Sequence, residues 1–224
     1  MSTPLVLSWS GGKDCAHALH FLKQQGDWDI VGLLTTVTRG FQRISMHGVR
    51  EELLDRQASS LKLPLHKIYL SQVSSNEEYE TEMRRAMNEF KGRGIDTIAF
   101  GDIYLEDVRR YREDKLAQVG MNAAFPLWRK DSAALASRFI DSGFKAITSC
   151  VDTEQLDGNF TGRLYDGRFL EELPAEVDPC GENGEFHSFV FDGPVFAEPI
   201  GFSIGEKVLR DNRFYYCDLL PITT

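Results

Sequence analysis

Short apolar runs alternate with amphipathic segments along the first 150 residues. A strand is predicted at residues 5–8, followed by a tight glycine loop and by a helix with apolar residues at helical spacing from Ala16 to Leu22. The same alternation predicts four further strands, at residues 29–36, 67–70, 97–100 and 145–150.

The segments between these strands carry helix signals. One stripe contains Val49, Leu53, Leu54, Ala58 and Leu61, and the helix that carries it should end before Pro64. Ser75 and Glu78 form a predicted capping box, and Asp131 is a predicted N-cap.

Strands that alternate with helices predict an α/β fold with a five-stranded parallel, doubly wound sheet. Residues 1–150 fit this plan and form the first predicted domain. From residue 151 glycine and proline become frequent, and residues 186–191 resemble a strand that ends in a turn. Residues 151–224 are therefore predicted to form a small C-terminal α+β lobe.

Composition narrows the class of protein. The chain has 224 residues, of which 42% are hydrophobic and 26% charged, which excludes a wholly disordered chain. A formal charge of −9 argues against a nucleic-acid partner. No signal peptide or membrane span is expected, and the four cysteines contain no C-x-x-C pair, so we expect a soluble cytoplasmic protein.

The loop after the first strand is the strongest chemical signal. Residues 10–15 read Ser-Gly-Gly-Lys-Asp-Cys and stand at a strand-to-helix junction, where the helix end and Lys13 favour an anion. The loop matches neither the Walker pattern nor G-x-G-x-x-G. A glycine turn without a ligand is the alternative, and five specified residues at this junction argue against it. The loop therefore predicts a phosphate or pyrophosphate site.

This loop resembles the S-G-G-x-D-S pyrophosphate loop of the N-type ATP pyrophosphatases, a Rossmann-like (HUP) fold. Cys15 departs from that pattern, because serine is usual there, and a thiol is the poorer donor. The resemblance implies that ATP is bound by Ser8, Ser10, Gly11, Gly12, Lys13, Asp14, Cys15, Gly101 and Asp102.

Four further segments resemble the diphthine ammonia ligase family, and together they span nearly the whole chain. They are residues 46–50 (MHGVR), residues 100–103 (FGDI) with Arg109, Arg112 and Glu113, residues 125–128 (FPLW), and residues 178–188 (DPCGENGEFHS). The short chain is most similar to compact, bacterial-type members of that family.

The resemblance implies an ATP-dependent ligase that adenylates a carboxylate, releases pyrophosphate and transfers ammonia to the activated acid. It also implies that residues 1–150 form the nucleotide-binding domain and that residues 151–224 form the substrate-binding lobe. Asp14 and Asp102 would hold Mg²⁺, and Lys13 would hold the departing pyrophosphate. Candidate catalytic residues are Lys13, Asp14, Asp102, Glu182, Glu185 and His187; candidate substrate-binding residues are Arg109, Arg112, Glu113, Glu182, Asn183 and Glu185.

The sequence leaves several points open. Charged helix and turn surfaces would explain Arg109, Arg112 and the residues near Glu182 without any site. A transfer-RNA thiolase and a regulatory protein that binds ATP or AMP without turnover are alternative functions. ATP and ammonium are the expected small-molecule partners, whereas the carboxylate acceptor and the oligomeric state, including a homodimer, are undetermined.

Overall fold

The computed structural model describes residues 2–39, 43–44, 48–71 and 75–222. Met46 and His47 of the 46–50 segment lie outside these ranges. The strands are β1 (Thr3–Ser8), β2 (Trp28–Thr38), β3 (Arg43–Ile44), β4 (Leu65–Leu70), β5 (Thr97–Ala99), β6 (Asn122–Ala124), β7 (Lys145–Asp152), β8 (Phe186–Asp192), β9 (Phe202–Arg210) and β10 (Phe214–Pro221). The helices are α1 (Lys13–Gln25), α2 (Glu51–Leu61), α3 (Asn76–Gly92), α4 (Glu106–Ala117), α5 (Ser132–Asp141) and α6 (Gly167–Glu172), with a 3₁₀ turn at Gly158–Phe160.

Five parallel strands form the first sheet, in the order β4-β2-β1-β5-β6, and the short β3 pairs antiparallel with β2. This confirms the predicted parallel, doubly wound sheet. The prediction that residues 145–150 form its fifth strand is wrong, because that place is taken by β6. A three-residue strand is too short to show a period, whereas β7 is buried on both faces and therefore looks like a parallel-sheet strand.

The second sheet is antiparallel throughout, in the order β8-β7-β10-β9. The predicted strand at residues 186–191 is confirmed as β8, and the C-terminal part of the chain is the expected small lobe. The division into domains near residue 150 stays a prediction.

Side-chain alternation along β1 distributes the core over both faces of the parallel sheet. Leu5 and Leu7 join a cluster with α1, α2 and the lobe, whereas Val6 joins a second cluster with α3 and α4. The lobe therefore packs on the face of the sheet that α1 and α2 cover.

Predicted helix caps are confirmed at two helix starts. Asp131 accepts a hydrogen bond from the backbone N–H of Ala134 at 2.8 Å, and the Ser75 hydroxyl accepts one from Glu78 at 3.1 Å. The other half of the predicted capping box does not form, because the Glu78 carboxylate binds the backbone N–H of Ser71 instead, at 2.8 Å.

The sheet order places a topological switch point between β1 and β5. The crossovers that leave these neighbouring strands run to opposite faces of the sheet, which opens a crevice at their carboxyl ends. Residues 9–12 follow β1 and residues 100–105 follow β5, so both predicted nucleotide-binding segments border this crevice. Among the residues that the structure describes, no helix is long and apolar enough to cross a bilayer.

Candidate functional site

The backbone of the loop between β1 and α1 turns sharply at Gly11. Gly11 has a φ of +81°, and a Cβ there would lie 2.8 Å from Oε1 of Gln57. Gly12 is extended and is the N-cap of α1, with no side-chain capping bond. Gly12 therefore has no side chain that could cap the first turn of α1, and a helix start preceded by glycines favours anions.

Gln57 of α2 fixes the conformation of this loop through hydrogen bonds. Its side chain is fully buried, donates hydrogen bonds to the carbonyl oxygens of Gly11 (3.0 Å) and Val190 (2.6 Å), and accepts one from the indole of Trp9 (2.9 Å). Gln57 is not among the site residues predicted from the sequence. Its signal was a polar residue within the apolar stripe of α2, next to Leu54 and Ala58 in space around the helix.

Strand β8 of the lobe closes the other side of the loop. The backbone N–H of Val190 donates to the Gly11 carbonyl at 2.9 Å, and the hydroxyl of Ser188 accepts a hydrogen bond from the backbone N–H of Lys13 at 3.1 Å. The loop is thus fixed by residues from both parts of the chain.

Cys15 supports the turn through its thiol. The thiol donates to the Gly12 carbonyl at 3.0 Å, and its sulfur lies 3.6 Å from the Ser10 hydroxyl, which in turn lies 3.4 Å from the Gly12 nitrogen. Burial raises the pKa of Cys15, so the sulfur stays protonated and keeps this bond. The cysteine that stands in place of serine therefore forms its hydrogen bond with the backbone of the loop itself.

Lys13 and Asp14 form an ion pair beneath the lobe. Nζ of Lys13 lies 3.0 and 2.8 Å from the two Asp14 carboxylate oxygens and 5.4 Å from the ring centre of Phe186, and the Lys13 residue is only 4% exposed. Burial lowers the pKa of Lys13, but the charge and hydrogen bond of Asp14, together with the acidic groups of Cys180 and Glu182, outweigh burial, so that the pKa of Lys13 is raised overall. Burial also raises the pKa of Asp14, and nearby Asp178 and Asp102 add to that rise. The pKa values of Lys13 and Asp14 can both be raised because this pair lies among several further acidic groups.

Gly101 and Asp102 approach this pair from β5. A Cβ on Gly101 would lie 2.9 Å from the backbone carbon of Asp14, so only glycine allows the contact. Asp102 forms an ion pair with Arg112, with Oδ2 2.8 Å from Nε and Oδ1 3.1 Å from Nη2. The Arg112 guanidinium lies over the ring of Phe100 at 4.3 Å.

Glu182 connects the lobe to the loop after β5. Its Oε1 accepts hydrogen bonds from the backbone N–H groups of Ile103 (2.7 Å) and Tyr104 (3.3 Å), and its own backbone N–H donates to Asp178 at 2.8 Å. Burial, with the charges of Asp14 and Asp102, raises the pKa of Glu182 to about 7 despite these hydrogen bonds. Glu182 can therefore exchange a proton near neutral pH.

Glu185 lies beside Glu182 and is almost fully buried. Its Oε1 accepts from the backbone N–H of Asp178 at 3.0 Å and from the Asn183 amide at 2.9 Å. Its Oε2 is buried and has no hydrogen-bond partner among the described residues. Asp178 joins these two glutamates. It belongs to the 178–188 segment but is not among the predicted site residues.

Of the remaining predicted residues, some adjoin the glycine loop or its contact on β8, whereas others lie in a separate groove. Ser8 is the last residue of β1, and His187 precedes Ser188 on β8; burial, then the charge of Lys13, lowers the pKa of His187 to about 4. Arg109 pairs with Glu113 at 2.7 Å and stacks on Trp128 at 4.6 Å, in a groove apart from Arg112. The structure thus places Arg109 and Arg112 in separate ion pairs.

The acidic residues fit a cation that arrives with phosphate. Within the described ranges no group of three or more metal-binding side chains exists, so the chain alone offers no complete site. Mg²⁺ typically binds one or two carboxylates and takes its other ligands from phosphates and water. Asp14 and Asp102 match that need, and Asp102 would share its carboxylate between the metal and Arg112, whose Nε lies 2.8 Å from Oδ2.

Comparison with known proteins gives consistent matches over most of the chain. Residues 4–123 match the diphthamide synthase N-terminal domain, and residues 131–218 match the diphthamide synthase C-terminal domain. A diphthine–ammonia ligase of Danio rerio is 30% identical over 192 residues, which cover 78% of this chain and 75% of that protein.

More distant matches follow. A diphthine–ammonia ligase of Schizosaccharomyces pombe is 24% identical over 221 residues, which cover 89% of this chain but only 36% of the yeast protein. Among solved structures, the U34-tRNA thiolase NcsA from Methanococcus maripaludis with its 4Fe-4S cluster aligns with a TM-score of 0.39 and 12% identity, over 62% of this chain and 58% of that chain. That likeness is too distant to carry an argument about function.

Proposed function

Because the chain belongs to the diphthamide synthase family, we propose that it is an ATP-dependent ligase that converts a carboxylate into an amide and releases AMP and pyrophosphate. One observation carries the proposal: the glycine loop and the start of α1, whose N-cap Gly12 has no capping side chain, border the switch point, with Gly101 packed against Asp14. Such a helix start favours the outer phosphates of a nucleotide.

The first step is activation of the acid. A carboxylate oxygen of the acceptor attacks the α-phosphorus of ATP, and the bond from that phosphorus to the bridging oxygen breaks as pyrophosphate leaves. The backbone N–H groups of the glycine loop and of the first turn of α1, apart from that of Lys13, which binds Ser188, stabilise the leaving charge, and the Lys13 side chain adds positive charge. A magnesium ion bound with the nucleotide would be held by Asp14 and Asp102 and would neutralise phosphate charge.

The second step is the transfer of nitrogen. Ammonium must lose one proton before it attacks the acyl carbon, and the resulting adduct loses a second proton to water as the bond to AMP breaks and the amide forms. Glu182, whose pKa is raised to about 7, accepts the first proton, and the buried Oε2 of Glu185 accepts a hydrogen bond from the bound nitrogen. Free ammonium is the proposed nitrogen source, and His187, largely neutral above its lowered pKa, contributes no positive charge at neutral pH.

The two alternatives differ in what they require. A thiolase of the type considered from the sequence uses paired reactive cysteines, whereas all four cysteines here are buried, and burial raises the pKa of Cys150 and Cys180 to about 12. A regulatory protein that only binds ATP or AMP would use the same loop. Turnover therefore separates it from the ligase.

Product analysis tests the proposal. The protein is incubated with ATP, Mg²⁺, ammonium and a panel of carboxylic acids, and nucleotide products are separated. We expect AMP and pyrophosphate that depend on an acid, and Asp14→Asn should lower the rate by about 100-fold or more, as is usual when a group that stabilises phosphate charge is lost. Asp27→Asn, at an exposed turn, is the control. ADP and phosphate as products, or binding without turnover for every acid, would contradict the proposal.

A further inference from the structure

A cavity lies between α3 and α4 on the face of the parallel sheet opposite the lobe. It encloses about 70 Å³, where one water molecule needs roughly 10–15 Å³. Its walls are mostly apolar and aromatic, from Tyr79, Met83, Met87, Ile98, Phe100 and Tyr111. Methionine side chains adapt to ligands of different shape, so these walls suit an apolar group of several non-hydrogen atoms.

The charged residues of the cavity are mainly positive. Arg84, Arg112 and Lys115 line it together with one carboxylate, Glu80, which pairs with Lys115 at 2.5 Å. Arg84 has no ion pair or hydrogen bond with any residue that the structure describes. The cavity therefore complements an apolar molecule with a negative group rather than a neutral or cationic one.

Arg112 joins this cavity to the site at the crevice. It lines the cavity, stacks on Phe100 and pairs with Asp102 through Nε and Nη2, and no described residue binds its Nη1. Helices α3 and α4 both begin at the carboxyl edge of the sheet. A ligand whose body lies between these helices and whose end group binds Arg112 therefore has that end group near Asp102. A guanidinium with a free donor is well suited to bind a carboxylate.

From this geometry we propose that the acceptor is a small amphipathic carboxylic acid, with its apolar body in the α3–α4 cavity and its carboxylate at Arg112. The identity of the bound acid as acceptor rests on the proposed ligase function, whereas the binding site does not. The adenine ring of the nucleotide lacks a negative charge and is the competing occupant.

Methionine NMR tests the site directly. The chain has five methionines, of which Met83 and Met87 line the cavity and Met121 belongs to the same apolar cluster without lining it. In the full chain with ¹³C-labelled methionine methyl groups, millimolar hexanoate and 3-phenylpropionate should shift the Met83 and Met87 signals saturably and leave Met121 unchanged. The matching alcohols, 1-hexanol and 3-phenylpropanol, should bind about tenfold more weakly, because they lack the charge.

Two variants locate the acid. Arg112→Gln should weaken the binding of both acids about tenfold and leave the alcohols unaffected, whereas Arg110→Gln, at an exposed position of the same helix, should change neither. Met83→Trp should block acids and alcohols alike, and Met83→Leu should not. Thermal unfolding of each variant shows whether it folds, and the comparison of acid with alcohol in the unmodified chain does not depend on any variant.

Three results would overturn the inference: no shift of Met83 and Met87 with either acid, equal binding of acids and alcohols, or displacement of the acids by adenosine. The ligase function is judged separately, by acid-dependent release of pyrophosphate. Acids that bind the cavity without pyrophosphate release would refute the ligase and leave the site. Pyrophosphate release with an acid that leaves Met83 and Met87 unshifted would refute the site and leave the ligase.

Discussion

The hydroxyl of Ser188 on β8 accepts a hydrogen bond from the backbone N–H of Lys13, at 3.1 Å, in the first turn of α1. Ser188 is buried and lies 175 positions further along the chain. This bond ties the lobe to the loop that we assign to the phosphates, so the shape of the loop depends on docking of the lobe.

Ser188→Ala tests this dependence. The substitution leaves a buried backbone N–H without its partner, which should lower the free energy of unfolding by about 1–3 kcal/mol. It should also weaken ATP binding, because the start of α1 then loses one of the contacts with β8 that fix its position. Urea unfolding and titration calorimetry measure the two effects. Ser203→Ala, at an exposed position of β9, is the control, and equal effects of the two substitutions would contradict the assignment.

Gly101→Ala tests the close approach between β5 and α1. The added Cβ would lie within 3.0 Å of three backbone atoms of Asp14 and Cys15, which cannot rotate away. We expect ATP binding to be lost while thermal unfolding stays cooperative. Gly92→Ala, which meets nothing within 4 Å at the end of α3, should be neutral or stabilise the protein by up to about 1 kcal/mol. Unchanged ATP affinity in Gly101→Ala would show that this contact does not shape the site.

Glu182→Gln tests the raised pKa of this carboxyl. A folded-state pKa of about 7, against the ordinary 4.5, means that the fold favours the protonated form, so stability is lost as the pH rises between these two values. The loss is at most about 3 kcal/mol, since each pH unit corresponds to about 1.4 kcal/mol. Glutamine keeps the oxygen that binds the Ile103 N–H but cannot ionise. The stability of Glu182→Gln, measured by urea unfolding from pH 5 to 8, should therefore fall less with pH than that of the unmodified protein.

The same variant separates the two chemical steps. Amide formation should slow markedly in Glu182→Gln, whereas acid-dependent release of pyrophosphate in a single turnover should change little, because the first step requires no proton transfer to Glu182. Glu171→Gln, on the exposed side of α6, is the control for both assays. A parallel loss of both steps would assign Glu182 a purely structural role.

Gln57→Leu tests the support beneath the loop. Leucine is similar in size but leaves the carbonyl oxygens of Gly11 and Val190 and the indole N–H of Trp9 with one hydrogen bond fewer each. We expect a loss of at least about 2–3 kcal/mol in the free energy of unfolding. Gln25→Leu, at the exposed end of α1, should change it by less than about 0.5 kcal/mol.

Local patterns were sufficient to predict most elements of the parallel sheet. A short apolar run marks β1, and Asp131 marks the start of α5, because these signals arise from neighbours in sequence. Strand β6 carries only three residues and no pattern of its own. Its place, and that of β7 in the second sheet, follow from pairing with distant strands, which no local pattern records.

The candidate site shows the same division. The glycine loop and residues 182–185 are recognisable as motifs, but motifs do not show what a side chain contacts. Arg109 and Arg112 stand one turn apart, yet one pairs with Glu113 and the other with Asp102. Gln57 and Ser188 support the loop from elements that lie far from it in sequence. Such contacts depend on how α2 and β8 pack, so sequence spacing could not predict them.

A crystal structure with a non-hydrolysable ATP analogue and Mg²⁺ would show directly whether the glycine loop binds the outer phosphates of the nucleotide. We predict that the β- and γ-phosphates lie within hydrogen-bond distance of the backbone N–H groups of residues 10–15, with Asp14 and Asp102 facing the metal. An analogue bound elsewhere, with side chains filling the space above Gly11 and Gly12, would show that this loop is not a phosphate site.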